Sequence, residues 1–200
     1  MASKNRCPAC GSSQVRVTYP PDCPYENSGL TGVHLIDKGV AETACAACGD
    51  VTTTVLQEAQ LQQVLGMAIV LGGAGITGEQ LRYLRKLFDL TQDELAQAIG
   101  KGRRETVAEW ESREQARLFR VPYDELGLRV VLISLFHARI VQSEFCCLSS
   151  RHRSAFDHAA AAFVEQGASF ARQANCPAPE LRVRRQGPLA DWAPAPGIAC

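Results

Sequence analysis

The chain has no bulk charge of one sign: Lys plus Arg and Asp plus Glu number 21 each. Non-specific affinity for nucleic acid comes mostly from phosphate neutralisation, so this balance argues against a general nucleic-acid binder. There is no run of about 18 apolar residues, the length a membrane span needs. The amino terminus, MASKNRCPACG, carries no apolar signal region, and the expectation is a cytoplasmic protein. No Ser/His/Asp set, paired catalytic carboxylates or open metal site can be assembled, so an enzyme is not expected.

What is present begins with nine cysteines in 200 residues. Cys7-Pro8-Ala9-Cys10-Gly11 and Cys45-Ala46-Ala47-Cys48-Gly49 are matched knuckles. A Cys-x-x-Cys turn aims two thiolates the same way, and two such turns supply the four sulfurs of a tetrahedral zinc site. In a reducing compartment such pairs bind metal more often than they form disulfides. The redox reading, a thioredoxin-like dithiol, wants a βαβ context that is not visible. The expectation is one structural zinc ion held by Cys7, Cys10, Cys45 and Cys48. Four protein ligands leave no open position for chemistry. Cys23 and His34 are left out, because a lone Cys or His is more often a packing or surface residue.

Between and after the knuckles, 14–19, 33–37, 40–43 and 51–56 are rich in Val, Thr and Tyr and read as strands. The proline-rich stretch 19–27 reads as a loop carrying two tyrosines. It is either a partner-binding edge or a rigid turn. Residues 54–72 place Leu56, Leu61, Val64, Leu65, Ala68 and Ile69 at helical spacing. Gly72-Gly73-Ala74-Gly75 then reads as a hinge.

The stretch 77–114 predicts three short helices. Thr77-x-x-Gln80 and Thr91-x-x-Glu94 are capping-box patterns that open the first two. Leu81, Leu84 and Phe88 form one apolar stripe, and Leu95, Ala98 and Ile99 are expected to face inward. Ala96 is small where the second and third helices should approach. Gly100 ends the second helix. The third, from about Arg103 to Ser112, should bury Val107 and Trp110. Arg103, Arg104, Glu105, Ala108 and Glu109 would then face outward. Helix N-termini favour anions, which places Thr91 and Gln92 for phosphate contact. Lys101 and Arg113 complete the candidate DNA-binding set. From 77 to 120 the balance is nine basic to eight acidic residues, so binding would depend on clustered arginines and on dimerisation.

LRKLFDLTQDELAQAIG followed by ETVAEWE resembles the Cro/repressor class of helix-turn-helix domains. Together with CPACG and CAACG, the chain resembles the MqsA-type antitoxins, which join an amino-terminal zinc module to a carboxy-terminal helix-turn-helix. The resemblance covers roughly residues 5 to 120. Gly100-Lys101-Gly102-Arg103-Arg104 is one residue longer than the usual turn. Glu109 stands where the class often carries a polar or basic groove-contacting residue. The resemblance implies autorepression through double-stranded operator DNA, a toxin gripped by the zinc module, and a homodimer joined through the helix-turn-helix domain.

Residues 122–141 open with Pro122 and acids, a helix start, and are then nearly all apolar. This helix is either the domain's core strut or a subunit interface. Cys146 and Cys147, being adjacent, cannot form a knuckle and receive no role. Residues 154–173 read as a further helix, and His152 and His158 as solvated surface. Residues 176–200, with five prolines, read as a flexible tail whose Arg182, Arg184 and Arg185 could touch phosphate.

The expected fold class is α+β: a small β-rich zinc-binding module (1–56), a linker helix and hinge (57–76), a mainly α helix-turn-helix domain for DNA binding and dimerisation (77–147), a C-terminal helix (148–175) and the tail (176–200). The leading functional expectation is a sequence-specific DNA-binding regulator of the antitoxin kind. The second is a zinc-stabilised protein-binding adaptor whose helix-turn-helix no longer binds DNA, favoured by Glu105 and Glu109.

Overall fold

A computed structural model describes residues 6–72, 75–119, 122–165, 181–185 and 191–194. The chain is α+β, with strands concentrated near the amino terminus and helices following. β1 (Val15–Thr18), β2 (Asp22–Pro24), β3 (Val33–Asp37), β4 (Val40–Cys45) and β5 (Val51–Val55) come first. Among the described residues six α-helices follow: α1 (Glu58–Leu71), α2 (Gly78–Leu87), α3 (Gln92–Ala98), α4 (Arg104–Ser112), α5 (Pro122–Val141) and α6 (Ser150–Glu165). Two strands return late, β6 (Leu181–Arg185) and β7 (Trp192–Pro194).

The strands form two sheets, in orders β1-β4-β5 and β2-β3-β6-β7. β1, β4 and β5 pair antiparallel, with Val15 opposite Cys45 and Ala44 opposite Val51. In the second sheet β3 pairs antiparallel with β2 but parallel with β6, Leu35 lying opposite Val183.

This second sheet corrects the reading of 176–200 as a flexible tail. Its described parts, 181–185 and 191–194, are paired strands, and Trp192 is fully buried. The rest of that stretch lies outside the described residues. Arg185, expected as a phosphate contact, is buried with its guanidinium 6.0 Å from the Trp192 ring centre. The Trp192 indole N–H donates to Leu56 O at 2.7 Å, and its backbone amide donates to Gln60 Oε1 at 2.9 Å. A Cβ on Gly39 would lie 2.4 Å from Trp192 Cη2, so the indole sits in a space that only glycine leaves open. The proline-rich stretch 19–27 is likewise more than a loop: Asp22–Pro24 is a strand, and Tyr25 is buried.

α1 begins at Glu58, four residues later than the pattern suggested, because 51–55 is committed to β5. Leu61, Val64, Leu65, Ile69 and Val70 are all buried, as are Gln60 and Gln63 on other faces. A helix buried nearly all round belongs at the centre of a domain. α1 contacts α2, α5, α6, β6 and β7.

The glycine run after α1 is anchored on both flanks. Residues 73–74 lie outside the described residues, but Gly75 and Ile76 are buried. Arg129 NH1 donates to Ile69 O at 2.9 Å and Val70 O at 3.0 Å, and the Ile76 amide donates to Glu125 Oε1 at 3.1 Å. Gly75 and Ile76 therefore pack as core, which is not what a free joint would show.

α2 and α3 both open with complete capping boxes, at Thr77/Gln80 and Thr91/Glu94. Leu81, Leu84 and Phe88 are buried as expected. Leu95 and Ala96 of α3 and Val107 and Trp110 of α4 lie in the common core, whereas Ala98 is exposed and Ile99 half-buried. Gly100 follows α3 with φ 68°, and the Lys101 and Gly102 amides both return to Ala96 O.

α5 turns Leu128, Leu132, Ile133, Phe136 and Ile140 into the chain's own core. Its apolar content thus serves as an internal strut, with Val130 and Val141 left exposed. α6 starts at Ser150, four residues before the start read at 154 and within the 148–175 bounds, and 166–175 lies outside the described residues. His152, expected at the surface, is buried: its Nε2 meets Trp192 O, and its Nδ1 lies 2.9 Å from Ser149 Oγ. Among the described residues, no helix is long and apolar enough to cross a membrane.

Candidate functional site

The two cysteine knuckles are the same structure built twice. The Gly11 amide donates to Cys7 O at 2.9 Å and the Gly49 amide to Cys45 O at 3.0 Å. The Cys7 amide donates to Ser12 O and the Cys45 amide to Asp50 O, at 2.8 and 2.9 Å. Gly11 and Gly49 have φ of 72° and 75°, the left-handed region that closes each turn. The register of β1 on β4 sets the first knuckle, which precedes Val15, beside the second, which follows Cys45. The Ala46 amide ties them by donating to Gln14 O at 2.9 Å.

All four sulfurs lie within 4.8 Å of one another. Cys7 to Cys48 and Cys10 to Cys45 are both 3.6 Å. A tetrahedral thiolate site with metal–sulfur bonds of about 2.3 Å has sulfur–sulfur edges of about 3.8 Å, so the cluster has the dimensions of such a site. The chemistry of the donors agrees. Backbone amides of Cys48 and Ala47 point at Cys45 Sγ and hold its thiol down to about 7. The Asp50 amide favours the Cys48 thiolate, but the crowding thiols of Cys10 and Cys45 push Cys48 up to about 12. Four thiolates at this spacing need a cation between them, and the four cysteines can hold one metal ion. Cys7 and Cys45 are buried, Cys10 and Cys48 exposed.

The two residues set aside as ligands stay apart from this cluster. His34 Nδ1 pairs with Asp22 Oδ1 at 2.7 Å, across the β2–β3 ladder. Cys23 Sγ lies 3.7 Å from Pro24 O, and burial raises its thiol above the usual range.

The second candidate site is the outer face of α3 and α4. Lys101, Arg103, Arg104, Glu105, Glu109 and Arg113 are exposed, and Ala108 is half-buried. Several of these side chains already have partners. Thr91 Oγ1 accepts the Glu94 amide and donates to Glu94 Oε2, so the cap uses its hydroxyl. Gln92 Nε2 donates to Glu111 Oε2 at 2.9 Å, and Gln92 Oε1 accepts from Arg104 Nε at 3.2 Å. Arg113 NH2 donates to Glu109 Oε1 at 2.6 Å.

The organiser of this face is Glu111, which the sequence reading passed over. It is 4% exposed and takes both Nε and NH2 of Arg85, the latter at 3.0 Å. Burial alone would raise its carboxyl, but the hydrogen bonds from Arg85 and Gln92 outweigh it and hold the group below its ordinary value. Arg82 adds a bond to the Glu111 carbonyl at 2.6 Å. One chain of contacts thus runs from α2 through Glu111 to Gln92 and Arg104. The signal was in the spacing: Val107, Trp110 and Glu111 fall at i, i+3 and i+4, one helix face.

No family model matches this chain, and no curated protein or solved structure matches it.

Proposed function

We propose that the protein is a sequence-specific DNA-binding transcriptional regulator, built as an antitoxin-like autorepressor with one structural zinc ion per chain. α3 and α4 act as a helix-turn-helix, with α4 entering the major groove, a space that admits one α-helix. The observation that carries this reading is the division of α4 into two faces. Val107, Trp110 and Glu111 are sealed against α2 and α3, while Arg103, Arg104, Glu105 and Glu109 stand outward. The ligand set of four thiolates and no open position suits structural zinc. The reduced thiols favour a cytoplasmic setting, and two-fold operators favour a homodimer. The amino-terminal module is then the surface for a partner protein, the toxin of the same operon.

The second reading, an adaptor that no longer binds DNA, is favoured by one observation. Gln92 and Arg104 bond each other, and Glu109 neutralises Arg113, so part of the outward polar set is already satisfied.

Fluorescence anisotropy on DNA from upstream of the protein's own gene, against scrambled DNA at several salt concentrations, separates them. The regulator binds its own promoter preferentially, and Arg103→Ala or Arg104→Ala costs about 1–3 kcal/mol of that preference. Equal loss on all sequences would reduce the residue to a phosphate contact. Absence of preference at every salt concentration would leave the adaptor reading.

A further inference from the structure

Cys146 and Cys147 sit in the short connection between α5 and α6, well outside the metal cluster. The Leu148 amide donates to Phe145 O at 3.3 Å, which closes a β-turn with the two cysteines at its central positions. Their sulfurs are 3.9 Å apart, already in contact. Both shoulders of the turn are pinned. Phe145 is buried with its ring centre 4.8 Å from that of Phe136 and 6.3 Å from that of Phe88, and Leu148 is buried beside it. The Cys147 carbonyl is held from the other side by Gln60 Nε2 at 2.9 Å. The two thiols differ in environment. Cys146 is exposed, whereas Cys147 is half-buried, and burial together with the Cys146 neighbour raises its thiol.

We propose that this turn is a vicinal dithiol site that exchanges with small disulfides of the glutathione class and closes to an intramolecular disulfide. The exposed Cys146 thiolate attacks one sulfur of the small disulfide. The small disulfide's S–S bond breaks, and one thiolate leaves and takes up the proton that Cys146 lost. Cys147, giving its proton to water, then attacks the Cys146 sulfur and displaces the second small thiolate, which is protonated in turn. The protein loses two electrons and two protons, and one small disulfide becomes two thiols. The sulfurs need to approach from 3.9 Å to the bonded distance of about 2.05 Å, and because adjacent Cα atoms lie only about 3.8 Å apart, below the usual disulfide span, the bond that closes is strained and readily reduced again. Holding the second thiol against the first makes the closing step intramolecular, which favours it over capture of a second small molecule.

The test uses the full-length, metal-loaded protein and graded mixtures of oxidised and reduced glutathione, followed by trypsin and mass spectrometry. Cleavage after Arg139 and Arg151 isolates peptide 140–151, which holds both thiols and no other cysteine. The expected product is that peptide short of two hydrogens, in about tenfold excess over its glutathione adducts. It should appear before Cys23, which has no thiol in contact among the described residues, is modified. Cys147→Ser, with unchanged far-UV circular dichroism, should stop at a single glutathione on Cys146. Two adducts on the peptide, unmodified thiols after Cys23 has reacted, or a disulfide between two chains would each overturn the assignment.

Discussion

Arg129 Nε donates to Glu125 Oε1 at 2.8 Å, one turn apart on α5, with their side chains 1% and 2% exposed. The same two side chains hold the end of α1, through Ile69 and Val70, and the start of the next segment, through Ile76. Removing one partner strands a buried charge. Glu125→Gln is expected to cost about 3 kcal/mol, read as a lower urea midpoint with an unchanged slope. Adding Arg129→Met should cost clearly less than the sum of the two single changes, because the charge left behind by the first is then gone.

Glu111 makes stability depend on acid. Its folded carboxyl is held below the ordinary 4.5, so its contribution is complete above that pH and fades as pH falls through the lower folded value. Glu111→Gln should lose about 2 kcal/mol at neutral pH. The gap to the wild type should narrow as the medium is acidified below pH 4.5, followed by urea melts across the range. A gap that stays constant with pH would remove the carboxylate from the argument.

Stripping the metal should not unfold the whole chain. β1 and β5 are largely exposed, so their sheet leans on the knuckles, whereas Leu35, Val183 and Trp192 bury the second sheet against α1. With a strong chelator, or in Cys45→Ser, amide exchange protection should disappear from 7–18 and 42–55. It should persist in 33–37 and 181–185. Loss of protection in all four segments together would show a single cooperative unit.

Gly39 and Trp192 should be coupled. Gly39→Ala drives its new methyl into the indole at 2.4 Å and is expected to cost about 2 kcal/mol in the native chain. With Trp192→Phe, which withdraws the outer ring, Gly39→Ala should cost much less. Thermal melts of the four proteins in the cycle decide it.

Where the sequence was informative, the controlling interactions were local. The turn of each knuckle and both capping boxes depend on residues within a few positions of one another, and all stand as read. Where it was silent, the partner was distant. Leu181 and Val183 alternate with Arg182 and Arg184 as a strand should, but Arg185 occupies an inward position and disguises the period. Its inward placement makes sense only beside Trp192, and that ring's pocket is framed by Gly39, Leu56 and Gln60. The surrounding prolines suggested a tail, yet Pro194 ends an edge strand, a position proline tolerates. Of the candidate DNA-binding residues, exposure was readable from α4's period, but the bridge that Gln92 makes between Glu111 and Arg104 was not.

The parallel pairing of β3 with β6 imposes a waiting time on the newborn chain. Leu35 leaves the ribosome long before its neighbour Val183 has been made, and at about 5–20 residues per second that interval is on the order of 10 s. Throughout it, β3 offers an unfilled strand edge, the kind that recruits other chains. The second sheet therefore completes its fold only after β6 has been made. A nascent chain stalled before Leu181 should be the form that aggregates or calls for a chaperone.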